Sequence, residues 1–437
     1  MNNTRKKNLA TYILPSVAGM CCTFLYVVVD GIFVGRGVGV TALGAVNLAL
    51  PFTMFMGVPS ALMTIGGVTI TAIRLGRGDS KGANEAFRLA TLLALSAAAV
   101  MTSAGLIFPR QIAMLLGAND TFLKMTSDYL FFSCIFCVFF TIGYILQGFV
   151  RNDGSPGLVG IAVMSGAMSN IFLDWLFVFP LKMGIKGAAL ATGAGQVLTV
   201  LVLSVHFIQR RGILRFGKIN FSLTLAKKIV TRGLPEMLSQ LGTPITTACM
   251  NYVLIRELGD IALSAFSVIM YILSFSMGIF IGISEGLQPL IGQSYGKKDP
   301  KDLRFYFKSG MFVSFLASLA VYCFLLAFGD KVSALFNSDP LLVSSIAAEL
   351  PKFGAGFMLI SLNLMAGSYF YSTKRTRQAV TLALFRCIIL NSSMVLLLPR
   401  LFGPGIIWFT VGIAELGSFV VAVALLRRSE KNGIVFA

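Results

Sequence analysis

The chain is written twice. Shifting the second half back by 220 positions lays Leu234-Pro235 on Leu14-Pro15, and Gly259, Ala262, Leu263 and Ala265 on Gly39, Ala42, Leu43 and Ala45. At the same offset Gly286, Gly296, Asp299 and Phe307 fall on Gly66, Gly76, Asp79 and Phe87. A repeat this long restricts the fold to two like halves. In an apolar chain, two like halves are the plan of a carrier with its substrate path between them.

The apolarity is on the page. Of 437 residues, 56% are hydrophobic and 12% charged, and the charges gather in short segments. Between them run stretches of roughly 20 to 30 apolar residues, and about 20 suffice for a helix to cross the hydrocarbon core. Twelve such stretches can be counted, six in each half. Alternating ten-residue strands are absent, which favours a helical bundle over a barrel. The expected fold is therefore an all-α integral membrane protein of twelve transmembrane helices in two six-helix lobes. Each half begins on the same side, so a pseudo-two-fold axis along the membrane normal is expected to relate them. The expected boundaries are an N-terminal lobe at 1–209, a basic connector at 210–228 and a C-terminal lobe at 229–437.

A net charge of +18 invites comparison with nucleic-acid binders. Its placement argues against that. With the N-terminus inside, 26 of the 36 Lys and Arg residues fall on inside segments. That asymmetry is the positive-inside rule and predicts a multi-pass protein of the cell membrane with both termini cytoplasmic. The densest cluster, Arg210, Arg211, Arg215, Lys218, Lys227, Lys228 and Arg232, reads as a topology determinant in contact with anionic membrane lipids, with no nucleic-acid partner. The first span is too long for a signal peptide and has a counterpart at Leu234-Pro235. The seven cysteines lie in apolar stretches and read as small core residues. Cys134-x-x-Cys137, expected in mid-helix, has no histidine nearby to make a metal site.

Carboxylates inside spans cost about 2.5–3.5 kcal/mol each on insertion scales, so each asks for a reason. Asp30 falls about 32 Å up the first span and Asp174 about 26 Å up the fifth. Asn170 is one turn below Asp174 on the same face. Thr192 falls about 12 Å down the sixth span from the opposite side. These four residues occupy one layer of one lobe, and their hard oxygens suit Na⁺ or a shared proton. Thr192 and Asn170 also have plainer readings, a bond to the preceding turn and interhelical glue. The position matching Asp30 in the second half is Met250, so the expected ion site belongs to the N-terminal lobe alone. Glu236 and Glu285 stand near span ends, where either water or a cationic cargo accounts for them. Tyr26 and Phe33 flank Asp30 by about one turn and offer aromatic faces to such a cargo. Glu415 is mid-span, and Arg386 in the preceding span is its expected partner. Pro15 interrupts the helix hydrogen bonds of the first span and marks a candidate hinge.

Several stretches resemble the multidrug and toxic compound extrusion (MATE) transporters, most closely the bacterial multidrug-exporter branch. They are Asp30-Gly31-Ile32-Phe33-Val34-Gly35 with Pro15 upstream, Gln147–Gly154, Asn170-Ile171-Phe172-Leu173-Asp174, Gly187–Thr192 and Gln288-Pro289-Leu290-Ile291-Gly292. The resemblance covers essentially the whole chain. It implies export of small cationic, often aromatic molecules in exchange for H⁺ or Na⁺, with no other cofactor, by a protein expected to act as a monomer. It also implies that Asp30, Asn170, Asp174 and Thr192 handle the coupling ion. A flippase of lipid-linked saccharides on the same superfold is the alternative. The mainly acidic intramembrane charge favours a cationic cargo over that reading. An enzyme is not expected. Gly282-Ile283-Ser284-Glu285-Gly286 fits a nucleophile-elbow pattern but is not at a strand-to-helix turn, and the single histidine, His206, lies in another span. No P-loop supports an ATP-driven pump.

Overall fold

Short polar punctuation sets the helix ends, and the two halves use the same punctuation. After Gly76 the chain turns through Gly78, at φ +77°, and Asp79 caps the next helix by accepting the Gly82 N–H at 2.8 Å. In the second half Lys298 takes the left-handed position, at φ +57°, and Asp299 accepts the N–H groups of Lys301 and Asp302 at 2.9 and 3.1 Å. The capping carboxylates satisfy donors that a helix start leaves free.

A computed structural model describes residues 2–118, 120–336 and 340–431. The last six positions of the expected C-terminal lobe lie outside the described residues. The first half holds α1 (Asn2–Gly37), α2 (Val40–Gly76), α3 (Ser80–Ile107), the short α4 (Pro109–Leu115), α5 (Asp120–Ile135), α6 (Cys137–Asn152), α7 (Pro156–Val178) and α8 (Gly184–Ile208). The second holds α9 (Leu223–Glu257), α10 (Gly259–Lys297), α11 (Pro300–Phe336), α12 (Pro340–Gly354), α13 (Phe357–Ser372), α14 (Thr376–Ala383), α15 (Asn391–Phe402) and α16 (Ile407–Lys431). A π-helical stretch, Leu384–Leu390, joins α14 to α15 in one passage. Among the described residues there is no strand.

Nine of these helices are long and apolar enough to cross a membrane, eleven when each bent pair counts as one span. The twelfth passage is α9. It is 35 residues long, but Glu236, Ser239, Gln240, Thr243, Thr246, Thr247 and Asn251 dilute its apolar character. Polar residues in such a helix face protein or a water-filled path rather than lipid.

Two expected spans differ from straight helices. The fourth, expected unbroken, bends by 48° between α5 and α6, so Cys134 and Cys137 flank a break rather than standing in mid-helix. The bend has a packing reason. Phe136 stands at the break, and its ring fills the space where a Cβ on Gly193 would be. Both cysteines are free and buried, and Cys134 Sγ contacts Met56 Sδ at 3.7 Å, as small core residues would. The tenth passage bends by 42° between α12 and α13, where Gly356 lies against the backbone of Gly412.

The chain divides into two compact units: Ala10–Gly233, and Met1–Leu9 with Leu234–Ala437. In the first, Phe87, Phe149 and Ile145 centre one core cluster, and Ala45, Leu130 and Ala188 a second. In the second unit, Phe280, Phe353, Phe357 and Trp408 form the core. Arg5, at the start of α1, pairs with Asp302 at 2.5 Å within that unit.

The division places residues 210–228 in the first unit, packed on its surface. Leu214 is fully buried, and Phe216 packs on Phe87 and Phe207 at ring distances of 5.0 and 4.7 Å. Asp153 accepts the N–H groups of Ile213 and Leu214 at 2.8 and 2.9 Å and the His206 Nε2 proton at 2.9 Å. Ser155 meets His206 Nδ1 at 3.1 Å. Asn84 accepts the Arg215 N–H at 2.6 Å, and Arg88 donates to the carbonyls of Arg215 and Lys218 at 2.9 and 3.1 Å. The stretch 210–222 is thus a strap held by named side chains. Ser155, His206 and Asp153 resemble a catalytic trio in composition, but His206 is completely buried and the Asp is committed to backbone N–H groups.

Candidate functional site

The closest helix pairing in the first unit builds the candidate site. α7 and α8 approach through glycines: a Cβ on Gly195 would meet the Gly166 carbonyl at 2.7 Å, and one on Gly166 would strike Thr199. Small residues at a crossing let two backbones approach, which is how membrane helices gain contact without a hydrophobic drive. The approach brings Asn170 of α7 against Thr192 of α8, with Asn170 Nδ2 donating to Thr192 Oγ1 at 3.3 Å. The bond is an interhelical contact of the kind the plainer reading gave Asn170; it is not the bond to the preceding turn read for Thr192.

Asp174 follows Asn170 by one turn and is completely buried; Asn170 is 2% exposed. Asp30, from α1, is a close electrostatic neighbour of Asp174. Yet among the described residues neither oxygen of Asp174, nor Asp30 Oδ1, nor Asn170 Oδ1 meets a hydrogen-bond donor. Buried acceptors left this way are costly, and costlier when charged. Two facing carboxyls without a donor ask for a proton or a cation between them.

The remaining sequence candidates divide. Tyr26, one turn before Asp30, lies near both carboxyls and near Gln196 of α8. Phe33, half-buried, packs edge-on against Phe179 with ring centroids 5.6 Å apart. Pro15 lies inside an unbroken α1, and Gly160 of α7 lets it close: a Cβ there would be 2.8 Å from Pro15 Cβ. α1 is also the least buried of the apolar helices, at 11% of its most apolar stretch. Sequence reasoning missed Tyr129 of α5, which lies near Asp30 and Tyr26, and it missed Gln196. Gln196 was legible in principle, being four residues after Thr192 on one helical face.

The second unit carries different chemistry. Met250, at the position matching Asp30, is fully buried, and Thr410 Oγ1 contacts its sulfur at 3.8 Å. Glu415 is held by Arg386 Nε at 2.9 Å to each of its oxygens, and Asn363 donates to Glu415 Oε2 at 2.7 Å and to its carbonyl at 2.9 Å. Arg386 is on the π-helical stretch, with its own carbonyl accepting from Asn391 at 2.6 Å. This is the pairing expected of Glu415. Glu236 and Glu285 face each other with Tyr371 beside them, and Gln240 donates to Glu236 Oε1 at 3.2 Å. Ser284 lies inside the continuous α10 and donates to the Leu364 carbonyl at 3.3 Å, with no histidine in its unit.

Two six-passage halves with unequal polar clusters inside apolar helices define a helical membrane transporter. The sequence model of the MatE family matches residues 15–176 and again 235–397, once over each repeat. The chain belongs to the MatE family. A curated relative, the multidrug export protein MepA of Staphylococcus haemolyticus, is 25% identical over 407 residues, covering 92% of this chain and 89% of the relative. Among solved structures, MATE in complex with MaL6 aligns with a TM-score of 0.92 at 23% identity, over 97% of this chain and 96% of that one. An outward-facing multidrug resistance MATE family transporter of the MOP superfamily aligns with a TM-score of 0.92, again at 23% identity, over 97% and 95%.

Proposed function

We propose that this chain is a secondary antiporter of the cell membrane that exports organic cations with aromatic bodies in exchange for H⁺ or Na⁺. The observation that carries the reading is the donorless oxygen cluster of Asp30, Asp174 and Asn170. A coupling proton would be shared by the two carboxyls. A coupling Na⁺ would be held by those oxygens with Thr192. The MepA relatives are named for multidrug export, which supports export of small organic compounds.

An exchanger needs a site whose occupancy differs between its two conformations. Asp30 is on α1, the least buried apolar helix, while Asp174, Asn170 and Thr192 are on the tightly joined α7 and α8. Ion binding between the carboxyls removes their repulsion and draws α1 toward that pair. Loss of the ion pushes it away, with Pro15 taking up the bend. In the second unit, Glu236, Glu285 and Tyr371 offer carboxylates beside an aromatic face, which suits a cationic aromatic cargo. Both termini are assigned to the cytoplasm from the distribution of Lys and Arg.

Purified protein in proteoliposomes, with pH and Na⁺ gradients imposed separately, tests the reading. Drug movement driven by one gradient and lost in both Asp30→Asn and Asp174→Asn supports it. Movement that needs neither gradient refutes antiport, and flipping of an anionic lipid-linked saccharide with no cation transport favours the flippase.

A further inference from the structure

The strap at 210–222 displays chemistry that transport does not use. Between it and the start of α3 is a pocket of about 290 Å³, lined by Ser80, Lys81, Glu85, Arg88, Arg215 and Lys218 among others. Its walls are fixed. Arg88 spends two donors on the strap carbonyls of Arg215 and Lys218, and Arg215 donates to the Leu214 and Arg210 carbonyls. Glu85, the acidic residue lining the pocket, is within 3.8 Å of Arg74, which offsets its charge. Lys81 and Lys218 are exposed, and among the described residues neither has an acidic partner. The pocket is therefore pre-formed and net positive.

The same strap exposes apolar side chains beside those cations. Ile213, Ile219 and Phe221 are 50%, 42% and 63% exposed. A soluble anion has no use for such a rim. A phospholipid has a use for both parts: its phosphate meets the lysines and its glycerol and acyl region meets the apolar side chains. The juxtaposition lies at the end of apolar helices that cross the membrane, where headgroups are.

We propose that this pocket binds the headgroup of an anionic phospholipid, with Lys81 and Lys218 on the phosphate and Ile219 and Phe221 in the interface beneath it. The strap is then a lipid-seated brace of the first unit. This inference is independent of the coupling ion and of the cargo.

Native mass spectrometry of the full-length protein, incubated in detergent with phosphatidylglycerol or phosphatidylcholine, tests it. The expected result is retention of phosphatidylglycerol over phosphatidylcholine. The Lys81→Gln/Lys218→Gln double variant should bind phosphatidylglycerol about thirty-fold more weakly, at about five-fold per lysine. Ile219→Ser/Phe221→Ser should also weaken it, and excess glycerol 3-phosphate should not displace it. Both pairs are on the surface, so the variants should elute as the wild type does, which size exclusion verifies. Equal retention of the two lipids, or unchanged binding by the lysine variant, overturns the site. Full displacement by glycerol 3-phosphate overturns the lipid assignment in favour of a soluble phosphoryl anion.

Discussion

The Arg386–Glu415 pair decides whether the second unit holds a coupling acid or a structural clasp. The geometry favours a clasp. Both Glu415 oxygens accept from Arg386 Nε at 2.9 Å, Asn363 adds a bond at 2.7 Å, and the side chains are 12% and 3% exposed. Removing one partner of such a pair leaves a buried charge uncompensated, at about 3–5 kcal/mol. Glu415→Ala should therefore lose a large share of the unit's stability. Removing both charges together, in Arg386→Met/Glu415→Leu, should recover most of that loss, because well-packed apolar replacements of a buried pair are close to neutral. The structure supplies the reporter. Trp408 is 3% exposed in the core of this unit, and Trp175, the other tryptophan, belongs to the first. In a Trp175→Phe background, tryptophan fluorescence during denaturation in mixed micelles reads the second unit alone. The double variant should also keep ion-gradient-driven drug efflux in proteoliposomes. A Glu415→Ala cost below about 1 kcal/mol, which is the range of an exposed pair, would refute the clasp. So would a stable double variant whose transport no longer responds to either gradient, since that would make Glu415 part of the coupling chain.

Asp30→Asn and Asp174→Asn should each abolish gradient-driven efflux while leaving size-exclusion profiles unchanged, because each removes a charge from a cluster with no protein donor to lose; dye efflux from everted vesicles measures this. Pro15→Ala should slow efflux without abolishing it, since it restores a helix hydrogen bond at the bend but leaves the oxygen cluster in place, and transport rates at saturating gradient check it. Glu236→Gln and Glu285→Gln should shift the concentration dependence for cationic dyes more than the maximal rate, as binding of labelled cation to purified protein would show. A maximal rate reduced as severely as in the Asp variants would move these residues from cargo to coupling.

The repeat and the apolar runs made the architecture legible, since each rests on local pattern. The bends did not show, because Phe136 bends its span only through the room left by Gly193, a contact between residues far apart in the chain. The packing of the 210–222 strap was not legible for the same reason. Its basic composition is what a solvated connector would have, while its position is set by Asp153, Asn84 and Arg88. In the site, Asp30, Asn170, Asp174 and Thr192 could be placed in one layer by counting along helices. Tyr129 could not, because the direction of α5 is set by its break with α6, which a straight span does not foresee.

The duplication then explains why the halves differ in chemistry while sharing a frame. A carrier that placed identical donorless carboxyls in both repeats would carry the cost of buried charge twice for one coupling event. Here the position matching Asp30 holds Met250, packed and apolar, and the deepest acid of the second unit is clasped by Arg386. The unit's other acids within the apolar helices, Glu236 and Glu285, lie near each other and near Tyr371. One repeat has kept an acid pair whose buried oxygens lack donors, and the other has paired its deep acid with Arg386. On the proposed exchange reading, the first repeat supplies an ion site that is unfavourable when empty, and the second leaves its remaining acids to the cargo.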